Sequence, residues 1–396
     1  MKFKEKTILF TLAAIQFTHI MDFMIVMPLG PQLMRIFNIN PQQFGFIVAS
    51  YTFSAGIFGF LAAFVIDRFD RKKTLALCYA GFTLGTFACA MASGYHFLLA
   101  ARMITGAFGG IIGTMVLSIV GDVIPFERRA SAMGIVMMAF SLASVFGVPF
   151  GLFLSNSFNW HAPFVFLGGA GLLVLFFIWR NIPSLTGHIK DAATRQNPFA
   201  MVLEIVSDKN HLIALSVMML LMLGQFTVIP YISPYMVANV GFTEAQLPYI
   251  YLCGGLASMI SMPLIGKLAD RFGKIRVFTI FIFVSLIPIY MITNLPVVSL
   301  PVALAVTTAF FIVMGGRSIP ATTMITAAVQ QEHRGSFMSL NTSVQQLSAG
   351  LASFIGGMVI VKSSNGALEH YEMIGYLAIV SSLFCLFAAR SLKARS

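Results

Sequence analysis

The stretch AFVIDRFDRKKTL, residues 63–75, returns 203 positions later as GKLADRFGKIRVF, residues 266–278. Both copies contain the run Asp-Arg-Phe, which begins at Asp67 in the first and at Asp270 in the second. At an offset of 205 the similarity continues, where ERRASAMG from Glu127 aligns with EHRGSFMS from Glu332. An internal repeat on this scale indicates a chain built from two related halves.

The composition indicates a membrane protein. Of the 396 residues, 58% are hydrophobic and only 10% are charged, which is far outside the range of soluble domains. Apolar runs of about 20 residues each predict helices that cross a bilayer. They lie near residues 7–29, 44–66, 74–93, 97–121, 131–154, 162–179, 212–237, 247–266, 276–293, 302–329, 337–361 and 373–389. The predicted fold class is therefore an all-α membrane protein with twelve transmembrane helices in two pseudo-symmetric six-helix bundles.

The net charge of +11 does not indicate nucleic-acid binding, because the basic residues lie in alternate loops between the apolar runs. Only Arg35 and Lys362 fall in loops on the opposite side, and Arg102 and Arg317 fall within spans. The positive-inside rule then predicts that both termini are cytoplasmic. The first span is interpreted as a retained helix and not as a cleaved signal peptide.

The longest polar stretch, residues 180–211, separates the sixth span from the seventh. We therefore predict an N-terminal bundle over residues 1–180, a cytoplasmic linker over 181–211 and a C-terminal bundle over 212–396. Six-span repeats of the same orientation are related by an axis along the membrane normal. In transporters of this kind the substrate site lies near the midplane between the bundles, which predicts alternating access.

The two loop copies resemble the major facilitator superfamily pattern Gly-x-Leu-x-Asp-Arg-x-Gly-Arg-Lys. RMITGAFGGIIG, residues 102–113, is similar to the pattern of that family's fourth helix, and the resemblance covers essentially the whole chain. The second loop copy fits well, whereas the first has Ala63 and Asp70 where the pattern has glycine. The resemblance implies a conformational latch at the cytoplasmic helix ends, formed by Asp67, Arg68, Arg71, Asp270 and Arg271. The alternative is that these charges serve membrane topology alone.

The fifth span contains SVFGVPFGLFL, residues 144–154. It resembles the Gly/Pro-rich antiporter signature of efflux members, in its Gly-x-Pro-x-Gly form, and so implies the branch of drug and sugar efflux proteins. Gly147, Pro149 and Gly151 would then bend the helix as part of transport. A helix kink without a functional role is the alternative.

Asp22 lies well inside the first span, where an unpaired charge is costly. It is roughly 24 Å along the helix from Lys6, and Arg102 is roughly 9 Å from the outer end of the fourth span. In a core about 30 Å thick these depths nearly coincide. The family resemblance implies that the two helices are adjacent. We therefore predict a proton-coupling group of Asp22, Arg102 and His19, the last one turn away on the same helix. The alternatives are a static ion pair for Asp22 and Arg102 and a hydrogen-bonded helix contact for His19.

Five further residues are predicted to contact substrate. Arg317 lies mid-span without an acidic partner in the sequence, which indicates a wet cavity, an anionic substrate group, or capping of carbonyls freed near Pro320. Gln225 aligns with Asp22 at the 203 offset, so the second half keeps a polar group without its charge. The others are Gln16 on the Asp22 stripe, and Asn341 and Gln345 on one face of the eleventh span. Interhelical hydrogen bonding is the alternative for Gln225, Asn341 and Gln345.

The predicted function is proton-coupled efflux of a small amphiphilic drug-like or sugar-like molecule. Proton-coupled uptake of a small organic anion or other metabolite is the alternative; an enzyme or a channel fits less well. No phosphate-binding Gly-rich motif with a lysine is present, so ATP is not indicated. We expect no metal and no cofactor. The expected partners are the substrate, protons and the lipid of a bacterial inner or plasma membrane, with the protein a monomer and no nucleic acid bound.

Overall fold

The structure, a computed structural model, describes residues 3–187, 189, 198–330 and 334–393. Its helices are α1 Phe3–Ile25, α2 Gly30–Ile36, α3 Pro41–Ala63, α4 Arg71–Ala90, α5 Tyr95–Val123, α6 Phe126–Leu142, α7 Val148–Ser157, α8 Ala162–Asn181, α9 Pro198–Ser207, α10 Lys209–Phe226, α11 Ile232–Tyr235, α12 Leu247–Phe272, α13 Lys274–Thr293, α14 Leu300–Ala327, α15 Arg334–Val359 and α16 Tyr371–Arg390. In the described part of the chain, ten helical segments are long and apolar enough to cross a membrane. Helices α4 and α15 occupy the positions of the predicted third and eleventh spans but are not among those ten.

Prolines end or interrupt two of the predicted spans. The first was predicted to reach residue 29, but α1 ends at Ile25, shortly before Pro28. The seventh was predicted as one helix to residue 237, but α10 ends at Phe226 and a 3₁₀ turn follows at Ile229–Tyr231. Because proline lacks an N–H and clashes with the preceding turn, Pro230 breaks the regular pattern there.

A short β-hairpin departs from the all-α prediction. Strand β1, Val361–Lys362, pairs antiparallel with β2, Leu368–Glu369, with Val361 opposite Glu369. The turn between them contains Gly366 at φ 88°, a left-handed conformation that glycine adopts without strain. Asn239 holds the hairpin, since its side chain donates to the Leu368 carbonyl at 3.0 Å and accepts from the Leu368 N–H at 2.9 Å.

The chain divides into two compact units. Unit 1 comprises Met1–Val26 and Ser50–Asn197, and unit 2 comprises Met27–Ala49 and Pro198–Ser396. The core of unit 1 is formed by apolar side chains of α1, α4, α5, α6 and α8. Its fully buried members include Leu12, Tyr79, Ile112, Val116, Ile119, Val136 and Ile178. The bundle and linker boundaries predicted from the sequence stay a prediction.

Unit 2 has its own core and includes the first part of α3. The buried side chains of that core include Val217, Phe278, Ile282, Ala321, Ile325, Phe337 and Cys385. Within this unit Gly45 packs directly against the backbone of α15, because a Cβ there would lie 2.7 Å from the Ser353 carbonyl oxygen. The Tyr231 hydroxyl donates to the same carbonyl at 2.6 Å. The α3 segment in unit 2 is therefore held by backbone contact as well as by side chains.

Candidate functional site

Asp22 and Arg102 form a buried ion pair in unit 1. The Nη1 atom of Arg102, on α5, donates to Asp22 Oδ2 at 2.6 Å and to the Asp22 carbonyl at 3.3 Å. Thr86, on α4, donates to Asp22 Oδ1 at 3.1 Å. The two charged side chains are 0% and 1% exposed. Two of the three predicted coupling residues thus meet at one point among α1, α4 and α5.

Small residues on α5 allow this close arrangement. A Cβ added at Gly106 would collide with the backbone of Tyr51, and one at Gly110 would collide with that of Ala55. Both contacts bring α3 onto α5 at a distance that only glycine permits. The glycine run that was noted in the sequence therefore positions Tyr51 beside Arg102.

Tyr51 is a member of this site that the sequence reasoning missed. Its ring lies under the Arg102 guanidinium, with 4.3 Å between the guanidinium carbon and the ring centroid, and its side chain is completely buried. Such a cation–π contact stabilises a desolvated arginine. Depth along the span could have identified it, because Tyr51 lies roughly 10 Å along its span from Phe44, close to the depth of Arg102.

His19 and Gln16 lie on the same helix as Asp22. The His19 ring contacts Phe82 edge-on at 5.8 Å between centroids and is 6.5 Å from the Tyr51 ring. Neither ring nitrogen of His19, nor Oε1 of Gln16, has a hydrogen-bond partner among the described residues. The structure places both residues in unit 1. Among the described residues, no hydrogen bond connects the His19 ring to Asp22 or Arg102.

Unit 2 contains a buried arginine of a different kind. Arg317 is 1% exposed and donates from Nη1 to Ser382 Oγ at 2.6 Å and to Ser285 Oγ at 3.3 Å. Its Nη2 donates to Met314 Sδ at 2.7 Å. These acceptors are neutral side chains, and the role of Arg317 stays a prediction. Among the described residues no carboxylate pairs with Arg317.

The three amides predicted to contact substrate in unit 2 have different surroundings. Gln225 donates from Nε2 to Ser318 Oγ at 2.9 Å, an interhelical hydrogen bond between α10 and α14. Asn341 is 2% exposed, and its Oδ1 has no partner in the described part of the chain. Gln345 is half-buried on the same helix, α15. Gln225 thus forms an interhelical hydrogen bond, and the contact of all three amides with substrate stays a prediction.

Of the predicted latch residues, Arg71 forms an ion pair with a neighbouring helix, and three others are exposed. Arg71 donates from Nε to Asp122 Oδ2 at 3.0 Å, which connects α4 to the end of α5. Arg68 is exposed, as are Asp270 and Arg271, and the Arg271 guanidinium lies 5.2 Å from the ring centroid of Phe272. The side chain of Asp67 lies outside the described residues. The latch stays a prediction.

Asp70 has a definite structural role. It is the N-cap of α4, accepting from the Lys72 N–H at 2.9 Å, and it also accepts from Ser184 Oγ at 2.5 Å and the Leu185 N–H at 3.0 Å. Burial alone would raise the pKa of the Asp70 carboxyl, but these hydrogen bonds together hold it below its usual value. The residue that departs from the family pattern therefore fastens the chain beyond α8 to the start of α4.

The predicted helix-bending residues lie beside an irregular turn. A π-helical turn at Ala143–Gly147 separates α6 from α7, and Pro149 follows it at the start of α7. Added Cβ atoms at Gly147 and Gly151 would meet α1, at 3.1 Å from Met21 Sδ and 2.6 Å from Ile25 Cδ1. The two glycines allow close packing of α7 on α1; their part in transport stays a prediction.

The chain was compared with known proteins. The family model described as Major Facilitator Superfamily matches residues 12–221 and again residues 214–395. The inner membrane transport protein YdhP of Escherichia coli O157:H7 is 26% identical over 92% of this chain and 91% of its own length. A probable sugar efflux transporter of Helicobacter acinonychis is 22% identical over 60% of this chain and 59% of its length.

A solved structure of a D-xylose-proton symporter has the same fold. It superposes with a TM-score of 0.77 at 18% identity and covers 96% of each chain. The double match of the family model agrees with the internal repeat. This chain is therefore a member of the major facilitator superfamily, a secondary transporter and not an enzyme.

Proposed function

We propose that this transporter exports a small amphiphilic drug-like or sugar-like molecule by alternating access, in exchange for protons that bind at Asp22. The observation that carries the proposal is the buried Asp22–Arg102 pair, with 2.6 Å between Nη1 and Oδ2. A buried ion pair is weak evidence of a stabilising role, because desolvation offsets much of its Coulomb energy. Protonation of Asp22 would leave the buried Arg102 charge uncompensated and so change which conformation is favoured.

The comparisons support the substrate class. The named function of the Helicobacter relative is sugar efflux, and the named function of the structural neighbour is proton symport of D-xylose. The π-helical turn at Ala143–Gly147, directly before Pro149 and Gly151, supports a functional role for this stretch, since such turns are often found at functional positions in helices. Both termini are proposed to be cytoplasmic, in a monomer in a bacterial inner membrane.

Proton-coupled uptake of an organic anion is the second candidate function. The observation that favours it is Arg317, a buried cation with only neutral acceptors among the described residues. A carboxylate on the substrate would supply the missing negative charge. The substrate would have to reach a side chain that is 1% exposed, so a change of conformation in unit 2 would be required.

One assay tests both candidates. Purified protein in liposomes containing an internal pH dye is exposed to ethidium, D-xylose or benzoate, with the pH gradient set in either direction. Proton movement coupled to ethidium or D-xylose and absent in Asp22→Asn supports the first proposal. Coupling to benzoate alone supports the second. Glu369→Gln, an exposed carboxylate in the β-hairpin, is the matched control and should behave as wild type.

A further inference from the structure

Helix α9 has an apolar side that packs on the protein and a second one that does not. Ile205 is 2% exposed and belongs to the hydrophobic core of unit 2, so it holds the helix against the protein. Leu203 is 69% exposed and Val206 is 41% exposed, although both side chains are large and apolar. Residues three apart lie on the same side of a helix, whereas Ile205 is turned by about 100° from Val206. Leu203 and Val206 therefore form an exposed stripe beside the packed side.

The position of α9 along the chain places it at a membrane surface. A single residue, Asp208, separates it from α10, and the membrane-crossing segment that contains α10 begins at Lys209. The Asp208 carboxylate caps α10 by accepting from the Asn210 N–H at 2.7 Å, so a new helix begins there and α9 is not part of the span. With ten residues α9 is about 15 Å long, which is too short to cross a core about 30 Å thick.

Exposed lysines mark the headgroup level at the same end of unit 2. Lys209 directly follows the cap of α10 and is exposed. The Asn210 side chain accepts from the Lys393 N–H at 2.9 Å and donates to the Lys393 carbonyl at 2.8 Å, which places the exposed Lys393 beside the start of α10. Lysines at the ends of membrane helices reach the lipid headgroups with their charged ends. The chain next to α9 therefore carries charges suited to phospholipid phosphates.

These features fit a helix at the boundary between lipid headgroups and acyl chains, with one side on the protein, one in lipid and one in water. Glu204 and Ser207 are exposed and supply the polar side. We propose that α9 lies in this boundary and that Leu203 and Val206 insert among phospholipid acyl chains. In the predicted topology this is the cytoplasmic leaflet, so the end of the predicted linker, residues 181–211, is fastened to the membrane. The proposal does not depend on the transported substrate or on the proton site.

Quenching of tryptophan fluorescence by brominated lipid tests this arrangement. Leu203→Trp, Val206→Trp and the matched control Glu204→Trp are made in the full-length protein. All three positions are exposed, so the variants should fold. Each is reconstituted into liposomes of phosphatidylethanolamine and phosphatidylglycerol whose acyl chains carry bromine either near the headgroups or near the bilayer centre. Subtracting the wild-type signal removes the emission of the native Trp160 and Trp179.

Bromine near the headgroups should remove most of the added emission of Leu203→Trp and Val206→Trp and leave that of Glu204→Trp, and bromine at the bilayer centre should quench all three less. Unquenched emission at Leu203→Trp or Val206→Trp would overturn the proposal. A blue-shifted spectrum would then show that protein covers the stripe, and a red-shifted one that water does. Equal quenching of all three variants, or stronger quenching from the bilayer centre, would also overturn it, because α9 would then be immersed in lipid.

Discussion

At the residue scale, the site depends on the shape of the Arg102 side chain as well as on its charge. The guanidinium donates to Asp22 and lies over the Tyr51 ring, two contacts that a lysine ammonium does not reproduce together. Arg102→Lys should therefore weaken proton-driven transport. Because the cation–π contact is lost, it should also lower the free energy of unfolding by roughly 2 kcal/mol, and with it the melting temperature. Arg180→Lys, exposed at the end of α8, is the control; equal effects of the two changes would refute this role.

Asp70 gives a prediction about pH. Because hydrogen bonds lower its pKa below the ordinary value of 3.8, its stabilisation is present above that value and is lost as the pH falls through the lowered pKa. Asp70→Ala should destabilise the protein by about 1 kcal/mol at neutral pH, whereas Asp70→Asn keeps an N-cap acceptor and should cost less.

The check is thermal unfolding in detergent between pH 3 and pH 7, roughly the window around the usual carboxyl pKa. The difference between wild type and Asp70→Ala should be constant at neutral pH and shrink at the acidic end. A difference that grows as the pH falls would contradict the assigned hydrogen bonds.

Part of this site could be predicted from the sequence. Asp22 could be related to Arg102 because a helix rises by a fixed distance per residue, which matched their depths, and because the family resemblance implies that the two helices are adjacent. The partners Thr86 and Tyr51 were missed, since a threonine and a tyrosine in apolar spans resemble many others there. The neutral acceptors around Arg317 were also missed, because the packing of the helices decides which side chains meet, and the sequence does not show that packing.

At the element scale, the approach of α3 to α5 depends on Gly106. A Cβ added at Gly106 would lie only 2.9 Å from the Cα of Tyr51, so the two helices would have to separate. Gly106→Ala should destabilise the protein by about 1–3 kcal/mol. Gly113→Ala, on the same helix in open space, should be neutral or slightly stabilising. Melting temperatures of the two variants provide the measurement, and a drop of the same size in both would contradict the role assigned to the close approach at Gly106.

Helix boundaries were predicted correctly where the apolar run itself ends. They were missed where a proline ends the helix inside an apolar run. The predicted span near 276–293 corresponds closely to α13, Lys274–Thr293. The breaks after Ile25 and Phe226 were missed because the apolar runs continue through Pro28 and Pro230 without a change of hydrophobicity. Hydrophobicity alone does not distinguish a continuous helix from one that is interrupted by proline.

At the scale of the whole molecule, the two repeats differ in charge. Asp22 aligns with Gln225, which bonds to Ser318, and the buried arginine of unit 2 has no carboxylate partner among the described residues. Proton coupling should therefore reside in unit 1. Gln225→Ala should change the half-saturating substrate concentration but leave the protons moved per substrate unchanged, measured with the pH-dye liposomes. A change in that ratio would place coupling in unit 2 as well.

In the proposed function, Asp22 is the group that binds the transported proton. Its most direct test is the substrate-driven proton flux in liposomes, measured over a series of pH values for wild type, Asp22→Asn and the control Glu369→Gln. We expect wild type and Glu369→Gln to move protons with substrate, whereas Asp22→Asn should exchange substrate without proton movement or pH dependence. Proton flux in Asp22→Asn equal to that of the wild type would contradict it.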